Sequence, residues 1–291
     1  MNRLLTLLRL SLSLAAALSL VPVAPALAQT AGAQFAPASA AEHIELPASG
    51  GRTIDVSVWQ AAEERGVVVF SHGYNGAPGA YSRILSKWVE AGFTVVAPLH
   101  VDSLRHPQHD QFDGPAAFST RIEDLAVVRG FVKATRPGLP IIAAGHSFGS
   151  LMSLIEGGAR TVAGPLGDAD VKAIVAFSSA GDLQGVVLPD TYAALATPML
   201  MITGDADLVP QYVTDWHAHR SPFDRSAPGD KMLMVFAGAD HSLVRNADEA
   251  DFDLIVRATT AFMEGYGLGD PQARAAAQSL AAPEGVSIER R

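Results

Sequence analysis

The sequence predicts an α/β fold: a doubly wound, mostly parallel sheet with helices on both faces. Three observations predict it. Continuously apolar, β-branched runs such as Val67-Val68-Val69-Phe70 recur along the chain, as expected of strands buried on both faces. Amphipathic stretches, each with one apolar stripe, lie between those runs. The two kinds alternate, which is the pattern of strand–helix–strand crossovers.

The chain opens on a segment of different character. Arg3 and Arg9 precede or interrupt an apolar stretch ending at Leu20, and Ala26-Leu27-Ala28 has the small residues of a cleavage site. Residues 1–28 therefore read as a secretory signal peptide, with Pro22 and Pro25 arguing against an uncleaved membrane span. The chain has no cysteine, so neither a lipid anchor at this site nor a disulfide is expected. The expected destination is a bacterial periplasm or the extracellular medium, with no stable membrane anchor. Residues 29–41 are small and polar and read as a flexible leader. Residues 42–266 read as one folded domain, and 267–291 as a short helix with a frayed tail.

Within the domain, "HIELP" (43–47) and "TIDVSVW" (53–59) alternate apolar with polar residues and predict two antiparallel edge strands. "GVVVFSH" (66–72) predicts the first doubly buried strand. A helix follows, with Tyr81, Ile84, Leu85, Trp88 and Val89 on one stripe and Gly92 beyond its end. "FTVVAP" (93–98) is the next strand. After a long loop, Thr120 and Glu123 have capping-box spacing and predict a helix start at Thr120, with Ile122, Leu125, Val128 and Val132 facing the core. "PIIAAG" (140–145), "VKAIVAFSS" (171–179), "PMLMIT" (198–203) and "KMLMVFAG" (231–238) predict four further strands. Phe148, Leu151, Met152 and Ile155 start a helix directly after the first of these. A last helix carries Phe252, Ile255, Thr259, Phe262 and Met263. In such a sheet the ligand site lies beyond the carboxyl ends of the strands.

Removal of residues 1–28 takes away Arg3 and Arg9 and no acid, moving the formal charge from −9 to −11. A dispersed acidic balance argues against a nucleic-acid or anionic-membrane surface, so no nucleic-acid partner is expected. No dinucleotide fingerprint or phosphate loop is present, and no cofactor is expected.

The chemistry concentrates at "GHSFG" (145–149). In G-x-S-x-G between a strand and a helix, the glycines permit a sharp turn that presents the serine. Ser147 is the candidate nucleophile. A serine hydroxyl is a weak nucleophile until a base takes its proton, and that base needs an orienting acid. "TGDADLVP" places Asp205 and Asp207 just past one strand, and "GADHS" places His241 just past the next. We read Ser147, Asp207 and His241 as nucleophile, acid and base. Asp205 is the second candidate for the acid and Asp240 a third. An oxyanion site requires backbone N–H groups, for which Phe148 and Tyr74, in "SHGYNG", are the candidates.

Together "FSHGYNGAPGAYSRILSKWVEAGFTVVAPLHVDS", "GHSFGS", "TGDADLVP" and "GADHS" resemble the α/β-hydrolase superfamily. More narrowly they are similar to dienelactone-hydrolase-like, platelet-activating-factor-acetylhydrolase-like and chlorophyllase-like serine esterases. The resemblance spans about residues 42–266 and implies an exported hydrolase of carboxylic esters acting through an acyl-enzyme. Dienelactone hydrolases use a cysteine nucleophile, which this chain lacks, so ordinary esters are the expected substrates. The partner implied is a small-molecule or lipid-like ester, with a polyester as an alternative because cutinase-type enzymes share the oxyanion-loop pattern. A peptidase or amidase on the same fold, and a non-catalytic binding protein, are the competing readings. A monomer is expected.

His72, His100, His146 and Trp216 are candidate pocket-lining residues. The loop "LHVDSLRHPQHDQFDGPAAFS" (99–119) carries His100, His106 and His109 with Asp102, Asp110 and Asp113. A polar rim of the site is the preferred reading over a metal site, because no ligand spacing fixes a geometry. His217 and His219 read as part of a helix face after the acid loop. Only residues 180–197 separate two consecutive strands, too few for a large cap domain.

Overall fold

Nine strands form one sheet among the residues that the computed structural model describes, namely 41–112, 114–162 and 164–291. The expected signal peptide, all but the last residue of the expected leader, and Asp113 lie outside them. The strands are β1 (Glu42–Pro47), β2 (Thr53–Trp59), β3 (Gly66–Ser71), β4 (Phe93–Pro98), β5 (Ile141–His146), β6 (Val171–Phe177), β7 (Met199–Gly204), β8 (Lys231–Phe236) and β9 (Val286–Arg290). Their spatial order is β1-β2-β4-β3-β5-β6-β7-β8-β9. The pairs from β4 to β8 are parallel, and β1, β2 and β9 pair antiparallel at the two edges.

The central strands are buried along their whole length because helices cover both faces. On one face α1 (Ser82–Glu90), α4 (Glu249–Phe262) and α5 (Pro271–Ser279) enclose a core around Phe70, Trp88, Phe177, Ile202 and Phe262. On the other, α2 (Gly114–Thr135) and α3 (Phe148–Glu156) pack Leu125, Val128, Leu151 and Leu154 against Val67, Val69 and Ile174. Among the described residues no large cap covers the carboxyl ends of the strands.

Two expectations are corrected. Helix α2 begins at Gly114, not at Thr120. Thr120 Oγ1 donates to the Ala116 and Ala117 carbonyls inside the helix, and Glu123 reaches away to the Ser49 N–H and Arg52 instead of back to a cap. The spacing was that of a capping box without its geometry. The C-terminal segment is not a frayed tail either. Val286–Arg290 pairs in register with Phe236–Met232 and covers the edge that β8 would otherwise expose, so the sheet extends past residue 266.

Candidate active site

Ser147 caps α3 directly after β5, with φ 55° and ψ −121°. A non-glycine residue there is strained, and the strain is held by what lies around it. A Cβ on Gly145 would sit 2.3 Å from the Gly149 carbonyl oxygen, and one on Gly149 would sit 1.9 Å from the Ser71 oxygen. Only glycine lets α3 enter this closely beneath β3. The turn thus aims Ser147 out of the sheet at the positive end of a helix. Ser147 Oγ hydrogen-bonds to no described residue. Contacts of this kind are commonly long before a substrate is present.

His241 follows β8 and Asp207 follows β7. His241 Nδ1 lies 2.7 Å from Asp207 Oδ1, which fixes the imidazole with Nε2 as the free nitrogen. The carboxylate is fully buried and also accepts from Thr203 Oγ1 at 2.7 Å. Asp205 turns elsewhere and accepts the Gly238 N–H at 2.6 Å, shaping the loop between β8 and His241. Asp240 accepts from the Ser242 N–H and hydroxyl.

A third side chain meets Asp207, and sequence reasoning missed it. His219, in a 3-10 turn over Trp216–Arg220, is fully buried and places Nε2 2.9 Å from Asp207 Oδ1. Burial by itself would raise the Asp207 carboxyl; the His219 and His241 rings outweigh it and hold the group far below the usual carboxylate range. Burial would likewise lower His219, but Asp207 raises it above its ordinary value. Nothing in "WHAHR" distinguishes the inward histidine from its neighbour. His217 is exposed, bonds to Asp215 and stacks on Trp216.

Asp207, His219 and His241 offer carboxylate and imidazole atoms within 4.8 Å of one another, the donor types of a metal site. Metal binding would require bare nitrogens. His219 Nε2 faces both Asp207 Oδ1 and the Asp207 carbonyl oxygen, at 2.9 and 3.0 Å, an environment that calls for a proton. The residues do not fit a metal.

The oxyanion candidates come from two segments, the loop after β3 and the residue that follows Ser147. A Cβ on Gly73 would be 3.4 Å from Ser147 Cβ, so the loop after β3 lies against the serine. The Tyr74 and Phe148 N–H groups have no acceptor among the described residues. Their rings meet edge to face at 6.4 Å.

Three of the four candidate pocket-lining residues are interior instead. Tyr81 Oη accepts the Gly73 N–H at 3.1 Å, so its own proton goes to His146 Nδ1 at 2.9 Å. His146 Nε2–H then donates to the His241 carbonyl at 2.8 Å. Burial holds His146 well below its ordinary value, consistent with this neutral tautomer. His72 donates from Nδ1 to the Gly73 carbonyl and accepts the His100 N–H at Nε2. His100 sits between Ser71 Oγ and Asp124. Trp216 is half-buried and packs on the core beside α3.

The loop expected over 99–119 as a polar rim ends in α2 from Gly114, and the rest is in large part a buried network. Arg121, with no exposed surface, makes two bonds to Asp102 at 2.8 and 2.7 Å and donates to the His72 and Gly73 carbonyls. Burial alone would raise the Asp102 carboxyl, but Arg121 holds it at about 2. Asp124, which also meets Arg52 at 2.6 Å, is pushed up to about 6 by burial. His106 is buried and accepts the Gln108 N–H, whereas Asp110 is exposed and His109 partly so.

Residues 62–185 match the family described as serine aminopeptidase, S33, a stretch that includes Ser147 and ends before Asp207 and His241. The monoacylglycerol lipase of Mycolicibacterium smegmatis is 24 % identical over 262 residues, spanning 69 % of this chain and 90 % of that one. Among solved structures, the esterase domain of a Rhodothermus marinus protein is 16 % identical with a TM-score of 0.56, covering 78 % of this chain and 98 % of the domain. A soluble variant of monoglyceride lipase from Saccharomyces cerevisiae, in complex with a substrate analogue, is 12 % identical with a TM-score of 0.60, covering 78 % and 96 %.

Proposed function

We propose that this chain, a member of the α/β-hydrolase superfamily, is an exported serine hydrolase of lipid-like carboxylic esters. The observation that carries the reading is the Ser147 elbow together with the Asp207–His241 pair, whose His241 carbonyl is held by the adjacent His146. A strained elbow presents the hydroxyl, Asp207 orients His241, and two unpaired N–H groups lie beside the serine.

In the proposed reaction His241 Nε2 takes the Ser147 proton as Oγ attacks the ester carbonyl. The Tyr74 and Phe148 N–H groups hold the resulting oxyanion, and Asp207 stabilises the imidazolium. The carbon–oxygen bond of the leaving alcohol then breaks, with His241 supplying the alcohol's proton. Water, activated by the same histidine, releases the acid and restores Ser147.

A lipid-like substrate is supported by the relatives, two of which are named for monoacylglycerol or monoglyceride cleavage. The exposed Tyr74, in the oxyanion loop, and Leu208, beside the acid, add apolar surface to the site's surroundings. A peptidase reading is favoured by the description of the matching family and by a solved neighbour named as a puromycin-hydrolyzing peptidase. Export rests on residues 1–28, and N-terminal sequencing of the released protein should begin at Gln29.

The test is Ser147→Ala with p-nitrophenyl esters of rising chain length, monoacylglycerol and a matched amide. Turnover should fall by more than about a thousandfold, and a fluorophosphonate should label Ser147 in the parent protein only. Wild-type turnover by the variant would overturn the assignment of the nucleophile. Faster cleavage of the amide than of its ester would favour the peptidase, and failure of the probe to label the folded parent would favour a binding protein.

A further inference from the structure

The mechanism leaves His219 without a task, although the side chain is fully buried against the acid that orients the base. Its nitrogens are both committed. Nδ1 hydrogen-bonds the Ser179 carbonyl at the end of β6, and Nε2 faces Asp207 Oδ1 at 2.9 Å and the Asp207 carbonyl at 3.0 Å. All three partners are oxygens without a proton to give. A neutral imidazole has one donor and one acceptor nitrogen, so either neutral tautomer would point a lone pair at an oxygen in a fully buried site. Only the doubly protonated ring satisfies every contact. Protonating Asp207 instead would not serve, because Oδ1 also accepts from His241 and Oδ2 takes the Thr203 hydroxyl.

We infer that His219 is a positioning residue that works as an imidazolium: it clamps Asp207 to the end of β6, and its charge keeps His241 available as a base at lower pH than Asp207 alone would allow. The His219 and His241 rings stack at 5.9 Å and both reach Oδ1 of the one carboxylate. A carboxylate facing one imidazole favours protonation of that ring, and a second, permanently charged ring offsets the effect.

The other groups around the pair do not supply such a charge to Asp207. His146, 4.7 Å from the His241 ring, is neutral and donates to the His241 carbonyl. Asp240 and Arg245 belong to the His241 loop, where Asp240 is engaged by Ser242 and Arg245 influences His146. On the turn of His219 itself, Asp215 is paired with His217, and Arg220 with Asp224 and Glu289.

The inference rests on Ser147, Asp207 and His241 being the reacting set, and two measurements separate its fate from that of the reading above. Nitrogen NMR of the full-length protein labelled at histidine should show one ring with both nitrogens protonated at pH 8, a signal missing from His219→Gln. That readout needs no activity. The absence of any imidazolium at pH 8 would overturn the inference, whether or not the glutamine variant folds. The acid limb of kcat/KM on a p-nitrophenyl ester should move up by about one to two pH units in His219→Gln, the shift expected from a unit charge at this separation and intermediate dielectric. A purely structural histidine would lower the whole profile without moving its limb, and that result would also defeat the inference. Should the parent hydrolyse no ester, the proposed function fails, while the NMR signal still decides the charge of His219.

Discussion

Replacing Tyr81 by Phe removes one oxygen from the interior and tests how the site is held together. Tyr81 is 2 % exposed, and its hydroxyl joins the Gly73 N–H, at 3.1 Å, to His146 Nδ1, at 2.9 Å. The phenyl ring still fits, so no large cavity term arises. What the substitution leaves is an unpaired amide and an unpaired ring nitrogen, both buried. Each such group costs about 1–3 kcal/mol, so the expected loss of stability is about 2–4 kcal/mol. For a domain of this size that lowers the melting temperature by roughly 5–15 °C. The catalytic effect follows from position. Gly73 precedes the proposed oxyanion donor Tyr74, and His146 holds the His241 carbonyl, so kcat should fall on the order of tenfold with KM little changed. Thermal or urea unfolding, together with steady-state kinetics on a p-nitrophenyl ester, measures both. A variant within 0.5 kcal/mol of the parent (about the resolution of such comparisons) and with full kcat would show that this hydroxyl does not tie the loops together.

Two further substitutions probe the elbow and the interior. Gly149→Ala places a methyl carbon 1.9 Å from the Ser71 oxygen, so soluble yield and activity should collapse, whereas Gly79→Ala, whose methyl meets nothing within 4 Å, should leave both unchanged. Equal behaviour of the two alanines would contradict the steric account. Glu156 is buried beside Arg129, and burial lifts its carboxyl to about 7, above an unfolded value near 4.5. The native state therefore holds an extra proton between those values, and the associated stability is complete below about pH 4.5 and lost as pH rises through 7. Glu156→Gln should flatten that decline and match or exceed the parent by about 1–3 kcal/mol at pH 8. Unfolding curves at pH 5 and pH 8 decide it, and an unchanged slope would refute it.

The buried strands were legible because a segment covered on both faces has no polar position to disguise it, as Val67–Phe70 and Met199–Ile202 illustrate. Ser147, Asp207 and His241 were legible because each stands just past such a strand, where the topology brings distant segments together. The terminal strand was harder. Val286-Ser287-Ile288-Glu289-Arg290 alternates over only five residues and relies on β8 for its pairing. The start of α2 was misplaced because a capping box is a pair of reciprocal bonds, and spacing alone cannot show where Glu123 reaches. Gly114-Pro115, with proline in the first turn, was the better signal. The inward role of His219 left no trace in sequence, since its partners are Asp207 and two backbone carbonyls contributed by separate loops.

These buried contacts share a design. Each loop that carries a proposed reacting group is held by a side chain from a different element, in addition to its own local bonds. Arg121 of α2 holds the His72 and Gly73 carbonyls while Asp102 neutralises it. Tyr81, ahead of α1, and His146 of β5 link that oxyanion loop to the histidine loop. His219 links the acid loop to the end of β6. With no large cap among the described residues to order these loops from above, they are ordered from beneath, by charged and polar groups that would each be destabilising if left unpaired. The same pairing makes the site stiff. Donors aimed at a developing oxyanion act best when they need not reorganise as charge appears. The polar residues that the sequence suggested as a pocket wall are, in this structure, the framework behind it.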